Sequence, residues 1–422
     1  MGSTGTSRCT PGFRPSWRTN RRRLSCGVRA WRWKASKCSS GISPTSADAE
    51  LPPGPSVLTG LKVVVDGSGL ERPRAGVGVY TTEIVHALAV DRPDARLTVF
   101  GPRSAWVHVP NATYRLVPRT RLLGRHLQWP AQIRELKPEA YFGPAGALPL
   151  GNVGCASVIT VHDLAIYRNP RWFPGRQPLS TRLVVPRSVL RADRVIAVSE
   201  NTANDIVEIF GIDRARIQVV PHGVSPKMRP MSAEERADAR ARLKLPERFI
   251  LFVGTVQPRK NLETLLDAWA MMRDRPDLVV VGSWGWLYEP VKEKMARLGP
   301  RLHHLDSVDP DELPAIYNLA RILAHPAWYE GFGLPPLEAM ACGTPVVVSD
   351  RSSLPEVVDG AALVVPADQP DAWRKELERV LSDTDLAADL RHRGILRAAE
   401  FSWSRSARMT WRAIDDAIGS RS

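Results

Sequence analysis

Phe249-Ile250-Leu251-Phe252-Val253-Gly254-Thr255-Val256-Gln257-Pro258-Arg259-Lys260-Asn261-Leu262 sets an unbroken apolar run of strand length against a glycine turn and the start of a helix, Leu262–Ala270. A strand that is apolar on both faces must be covered on both faces, which marks a parallel sheet between helices. The unit recurs. Apolar runs at Leu61–Asp66, Leu97–Phe100, Ala140–Phe142, Ser157–Val161, Arg194–Val198 and Ile217–Val220 form a first series. Phe249–Val253, Leu278–Val281, Ile322–Ala324, Pro345–Val348 and Ala362–Val365 form a second. Longer amphipathic segments separate the runs. The reading is α/β: two Rossmann-like halves with parallel sheets facing across a cleft, where such folds bind ligands at the carboxyl ends of their strands. The Pro-flanked stretch Ser225 to Pro246 carries an Ala/Arg/Glu helix and reads as the connector. The expected boundaries are a leader at 1–58, a first half at 59–225, a linker at 226–246, a second half at 247–400 and a C-terminal helix at 401–422. Ser402 or Ser404 could cap that helix, and Trp403 and Trp411 read as packing residues.

A chain of 422 residues, 43% hydrophobic and 24% charged, can bury two cores of ordinary size. Its net charge of +14 suggests nucleic acid until it is located. Residues 1–60 hold ten Lys/Arg against two Asp/Glu, leaving 48 basic and 42 acidic groups for the rest. That modest excess suits anionic substrates or an acidic membrane surface, and nucleic acid is not expected. Residues 1–58 read as a disordered basic leader, with a basic amphipathic anchor as the functional alternative. Arg21-Arg22-Arg23 resembles the start of an export signal, but no apolar region follows it. Cys9, Cys26 and Cys38 lie in the leader, Cys155 and Cys342 in the body, and none forms a CxxC pair. Neither a zinc site nor a disulfide framework is indicated, and a reducing cytoplasm is the natural reading. No apolar run approaches the ~20 residues of a membrane-spanning helix.

Four stretches carry chemistry. Trp328-Tyr329-Glu330-Gly331-Phe332-Gly333-Leu334-Pro335-Pro336-Leu337-Glu338 joins two carboxylates through a glycine loop that runs into a helix. Gly331 and Gly333 let the backbone approach a ligand, and amides at a helix start favour an anion. Glu330 could accept hydrogen bonds from sugar hydroxyls, and Glu338, one turn into the helix, could hold a ribose diol; two ordinary surface glutamates at a helix start are the alternative. Arg259 and Lys260, beside the next helix start, suit a diphosphate leaving group. His162-Asp163 closes the strand Ser157–Val161 and points into the cleft: His162 could bond a sugar hydroxyl, while Asp163 orients it or caps the following loop. Gly76 and Gly78 lead into a helix and could receive a phosphate or serve as a flexible turn. His222, in Pro221-His222-Gly223-Val224, is either structural or cleft-facing. Asp309-Pro310-Asp311 imitates a D-x-D metal motif, but an acidic helix start explains it better and no metal is expected.

Together these residues resemble the retaining GT-B glycosyltransferases, specifically glycosyltransferase family 4 (group 1), over roughly Leu61 to Ile418. His325-Pro326-Ala327-Trp328-Tyr329-Glu330-Gly331-Phe332-Gly333-Leu334-Pro335 and Ala341-Cys342-Gly343-Thr344-Pro345 look like its donor-binding block. Leu354-Pro355-Glu356-Val357 is similar to the continuation, and Ala197-Val198-Ser199-Glu200 to a first-half signature. The resemblance implies that Glu338 binds the nucleotide ribose, Glu330 with Gly331, Phe332, Gly333 and Leu334 the transferred sugar, and Lys260 the diphosphate. His162, Asp163 and Glu330 would form the catalytic set. Many members carry arginine directly after the glycine matching Gly254; here Thr255 stands there, and Arg259 could supply the second cation. The Pro-Arg-Lys-Asn pattern is similar to mannosyl-transferring members, which points toward a donor such as GDP-mannose. No cofactor is implied. The acceptor would be a glycan or lipid-linked hydroxyl, reached through loops such as Arg119–Gln128 and Arg168–Gln177, with the enzyme cytoplasmic and in peripheral contact with the inner membrane face. A nucleotide-sugar epimerase of the same fold and an inactive nucleotide-sugar-binding scaffold are the alternatives.

Overall fold

The computed structural model describes residues 60–71, 76–101, 112–116, 126, 128–175 and 180–421. The leader, with Cys9, Cys26 and Cys38, lies outside the described residues, as do parts of both acceptor loops. The described chain builds two parallel sheets. The first is β1 (Lys62–Asp66), β2 (Arg96–Gly101), β3 (Ala112–Leu116), β4 (Ala140–Gly143), β5 (Ala156–Val161), β6 (Arg194–Ala197) and β7 (Ile217–Val219), ordered 3-2-1-4-5-6-7. The second is β8 (Phe249–Val253), β9 (Asp277–Val281), β10 (Leu302–Leu305), β11 (Ile322–His325), β12 (Val346–Ser349) and β13 (Leu363–Val365), ordered 10-9-8-11-12-13.

Every apolar run of the sequence forms a strand. Two further strands, β3 and β10, had no such signal. Both sit at sheet edges: Thr113 and Arg115 are exposed in Ala112–Leu116, and Leu302–Leu305 is half-buried throughout and carries His303 and His304. A half-covered edge needs no continuous apolar run. The inner strands are dry, with Val63, Val64, Val65, Phe249, Ile250, Leu251 and Phe252 all buried.

Each sheet reverses direction beside its first strand, between β1 and β4 and between β8 and β11. Loops leaving the carboxyl ends of such neighbours diverge to opposite faces and leave a crevice between them. The connector helix Ala233–Leu243 is capped by a Ser232–Glu235 capping box, and its Ala239 joins the core of the second half. Beyond it, the helix Trp403–Gly419 crosses back to the first half. Ser402 accepts a hydrogen bond from the Arg405 amide at its start. Ala407, Trp411, Ala413, Ile414 and Ala417 enter the core that contains β1 and the helix Gly76–Asp91. Trp411 Nε1 donates to the Leu88 carbonyl at 3.2 Å, and the Arg92 guanidinium lies over its ring at 4.8 Å.

Trp411→Ala would leave a large cavity and remove the indole bond to the Leu88 carbonyl, at a cost of about 3–5 kcal/mol. Denaturant unfolding should show the loss; an unchanged midpoint would mean that this helix does not hold the first half together.

Candidate active site

Strands β8 and β11 are parallel neighbours, with Ile250 opposite Ile322 and Leu251 opposite Leu323. Their outgoing loops therefore start side by side. After β8 the chain makes one tight turn, Pro258–Lys260, closed by Asn261 in the left-handed region (φ 54°). Asn261 tolerates that conformation and donates from Nδ2 to the carbonyls of Pro326 (2.9 Å) and Ala367 (2.8 Å). The turn is thereby tied to the chain leaving β11, and Trp328 N donates to Arg259 O at 2.8 Å.

This apposition places Glu330 against both cations. Lys260 Nζ and His325 Nε2 meet Glu330 Oε1, the latter at 2.8 Å, while Arg259 Nη1 reaches Oε2 at 3.1 Å and the Tyr329 carbonyl at 3.0 Å. Glu330 is 6% exposed and Lys260 8%. Burial alone would raise the Glu330 pKa, but Lys260, Arg259 and His325 outweigh it and hold the carboxyl well below its ordinary range. Burial lowers the His325 pKa, so its ring is neutral, and since the carboxylate only accepts, Nε2 carries the hydrogen. One buried carboxylate and two cations sum to +1 within this half, and Asp163 faces the cations from the first half. The backbone around Glu330 is pinned as well: its N–H donates to Ser352 Oγ at 2.7 Å, while Ser352 Oγ (2.6 Å) and Ser353 Oγ (3.0 Å) donate to its carbonyl. Ser352 sits at φ 52°, a strained conformation for a side chain that is held by these bonds.

Glu338 lies one turn into the helix Leu334–Ala341, whose start is Gly333 at φ 114°. It is half-buried, and Tyr317 OH donates to its Oε2 at 2.7 Å. Burial raises its pKa to about 7, with the Tyr317 bond pulling the other way. Glu338 is thus near half-ionised at neutral pH, whereas Glu330 is fully charged.

His162 follows β5. Its Nε2 donates to the Pro144 carbonyl at 2.7 Å, and its ring meets Tyr80 edge-on at 4.7 Å. Burial lowers its pKa, so it too is neutral. Asp163 is exposed and its Oδ1 caps the next turn by accepting from Ala165 N at 3.2 Å. Its charge is also felt at Arg259 and Lys260, which places it by the cation pair. Gly76 and Gly78 open the helix Gly76–Asp91, next to Tyr80. His222 is buried between Tyr80, His162, Phe332 and Trp403, with ring centroids 4.9–5.9 Å away. Phe332 packs its ring on His222 and Phe401, and Leu334 is half-buried beside the same core. Thr255 is half-buried against Gly285. Phe173 stacks on Trp286 of the second half at 5.5 Å, and Trp286 Nε1 donates to the Trp172 carbonyl at 2.7 Å.

Gly331 makes a contact that its sequence does not announce. A Cβ there would stand 1.7 Å from the His162 carbonyl oxygen, so the loop is pressed against the first half of the protein. Sequence reasoning assigned no role to His325, Tyr317 or Ser352. His325 had a readable signal, a histidine ending a strand just as His162 does; the other two belong to segments without a motif.

The family model described as "Glycosyl transferases group 1" matches residues 234–397, and that described as "Glycosyltransferase Family 4" matches residues 74–227. O-antigen chain mannosyltransferase B of Escherichia coli is 30% identical over 379 residues, 83% of this chain and 98% of its own. A D-inositol 3-phosphate glycosyltransferase of Streptomyces bingchenggensis is 32% identical over 347 residues, 76% of this chain and 71% of its own. Among solved structures, sucrose-phosphate synthase from Thermosynechococcus elongatus superposes with a TM-score of 0.69 at 23% identity, over 85% of this chain and 100% of that one. HepE from Anabaena in complex with UDP-glucose also gives 0.69, at 17% identity over 85% and 100%. The two facing sheets and crossover helix are thus a GT-B glycosyltransferase fold. The chain belongs to glycosyltransferase family 4, group 1.

The raised pKa of Glu338 has a consequence for stability. A carboxyl that is harder to ionise when folded contributes stability in full below its ordinary value of 4.5, and loses it as pH rises through about 7. Thermal midpoints of Glu338→Gln should therefore gain on the wild type between about pH 5 and about pH 8. Parallel midpoint curves for the two proteins would show that Glu338 is not protonated at the lower pH.

Proposed function

We propose that this glycosyltransferase moves a hexose, mannose favoured, from a nucleotide-sugar such as GDP-mannose to a hydroxyl of a glycan or lipid-linked acceptor, with retention of anomeric configuration. The carrying observation is the buried Glu330–Lys260–Arg259 cluster at the carboxyl ends of β8 and β11. Its two cations favour a diphosphate, and low local polarity strengthens that attraction. Lys260 and Arg259 hold the diphosphate and neutralise the charge that grows on it as the glycosidic bond breaks. Arg259 thereby supplies the second cation that Thr255 cannot. Glu330 is the fixed, fully ionised acceptor for sugar hydroxyls, and Gly331, Phe332, Gly333 and Leu334 form the loop that carries it. Glu338, whose carboxyl becomes a better acceptor as it ionises, takes the ribose diol.

His162 faces the same loop from the first half and bonds the sugar, with Asp163 fixing the turn behind it. Gly76 and Gly78 offer helix-start amides to the donor's phosphates. The departing diphosphate, rather than a side chain, takes the acceptor hydroxyl's proton on the face from which it leaves, and the closed halves exclude water. No resident cofactor or metal is part of this scheme. Mannose rests on the relative whose length this chain spans almost completely, a mannosyltransferase of O-antigen chains. Among the described residues no helix is long and apolar enough to cross a membrane, and the basic excess of the body suits peripheral contact with an acidic inner surface.

Thermal protection by a panel of nucleotide-sugars tests the donor: GDP-mannose should raise the midpoint most, since only the folded state binds. Equal failure of all guanosine and uridine sugars would sink the donor assignment. Lys260→Ala and Glu330→Ala should each lower turnover by ~10² or more. Near-normal rates in either variant remove the role given to that residue.

A further inference from the structure

Glu330 is held from one direction by its own half, and the next residue is held from the other. Ser199 Oγ donates to the Gly331 carbonyl at 2.7 Å and Thr202 Oγ1 to the same oxygen at 3.1 Å. Both hydroxyls stand on the first turn of the helix Glu200–Phe210, in the first half of the protein. Ser199 is also that helix's N-cap, accepting from Thr202 N at 3.0 Å. The turn is fixed in its own right across the cleft. Glu356, in the helix Leu354–Val358 of the second half, accepts from Glu200 N at 2.8 Å (Oε1) and from Asn201 N at 3.2 Å (Oε2). A carboxylate is well placed at the positive end of a helix, and here it comes from the opposite half. Tyr329, just before Glu330, reaches over in the same way, with its hydroxyl on Asp205 and accepting from Leu164 N at 3.3 Å. Four contacts between the halves thus converge within one or two residues of Glu330, and Gly331 lies too close to His162 to admit a side chain.

We propose that Ser199, Thr202 and Glu356 are positioning residues for Glu330: the hydroxyl pair grips the Gly331 carbonyl, Glu356 fixes the turn bearing that pair, and the loop reaches its working position only while the two halves are engaged. This rests on Glu330 being the group that holds the transferred sugar. Ser352 and Ser353 keep the ion cluster within its own half, while the grip joins the Tyr329–Leu164 bond and the Gly331–His162 packing in setting the loop against the first half. Donor binding and sugar alignment are separated in this arrangement. Lys260, Arg259 and Glu338 all belong to the second half and touch none of the three residues, so nucleotide affinity does not depend on them.

The test uses the full chain and three substitutions outside the donor cluster: Thr202→Val, which keeps shape and removes the hydroxyl, Glu356→Gln, and Glu356→Lys, which sets a cation against the helix start. The dissociation constant for GDP, or for UDP if the panel selects uridine, should stay within about twofold of wild type. Turnover should fall ~10-fold in Thr202→Val and further in Glu356→Lys, with Glu356→Gln between wild type and Glu356→Lys. Thr202→Ser should restore it. Gly331→Ala should abolish turnover, since its Cβ would meet the His162 carbonyl of the other half. A purely structural role would lower midpoints and leave turnover per folded molecule unchanged. Wild-type turnover in both Thr202→Val and Glu356→Lys overturns the proposal. Glu330→Gln, run in parallel, separates the two readings. A fall there with none in Thr202→Val condemns the positioning alone; wild-type turnover in Glu330→Gln condemns the sugar-holding role and, with it, the object of the positioning.

Discussion

The carboxylate of Glu330 is buried, charged and bonded on both oxygens, and much of the second half is arranged around that fact. A lone ionised carboxylate in such a place would cost several kcal/mol, so its partners must be supplied reliably. Two come from one turn: Arg259 and Lys260 follow β8, the parallel neighbour of β11, and that adjacency puts their loop beside the residues after His325. The third, His325, is the last residue of β11 itself and is stacked on Phe252 of β8 at 6.2 Å. Asn261 then fastens the cation turn to Pro326 by a side-chain bond. Sheet order, turn geometry and side-chain chemistry therefore all serve one charge. The two serines at 352 and 353 do the remaining work, holding the backbone so that the carboxylate cannot swing away from its cations.

The same loop is the meeting point of the two halves. Glu330 turns its side chain toward Lys260 and Arg259, while the carbonyl of Gly331 turns toward the helix Glu200–Phe210. A residue with any side chain at 331 would hold His162 off, so the glycine is needed for contact with protein. Gly333 has the separate task of starting the helix of Glu338 from a left-handed conformation. Two glycines two residues apart thus answer to two different constraints. The crossover helix completes the linkage by returning the end of the chain to the first core, with Ser406 Oγ donating to the Pro221 carbonyl at 2.6 Å where the two halves are joined.

Much of this was readable in the sequence, for a physical reason. Inner strands of parallel sheets are dry on both faces and leave unbroken Val/Ile runs, so both sheets and their alternating helices were visible as patterns. The edge strands Ala112–Leu116 and Leu302–Leu305 were not, because incomplete burial at an edge removes the pattern. The candidate donor residues Arg259, Lys260, Glu330 and Glu338 could be named because loops at strand ends with glycine and charge have few uses. Partnerships across long separations could not. Nothing local in Thr202 or Glu356 announces a bond to Gly331 or to a helix start more than a hundred residues away. Tyr317 is equally silent: it is one aromatic residue on an apolar helix until the fold sets it against Glu338.

Thr255 shows how such a site absorbs a departure. What burial of Glu330 demands is positive charge within reach, and Arg259 meets that demand while also binding the Tyr329 carbonyl. Its position on a rigid turn behind a proline limits where the guanidinium can go, so a cation directly after Gly254 is not needed to balance the carboxylate. The space after Gly254 is instead occupied by a small side chain packed on Gly285, where an added methyl would stand 2.7 Å from Thr255 Cγ2. Bulk is thus excluded from both sides of that contact. The loops after β8 and β9 lie close enough to share it, and a long arginine side chain would have to leave the contact to find a charge. The substitution and the tight glycine therefore fit each other: charge for the cluster comes from the turn, and the strand end is left free for packing.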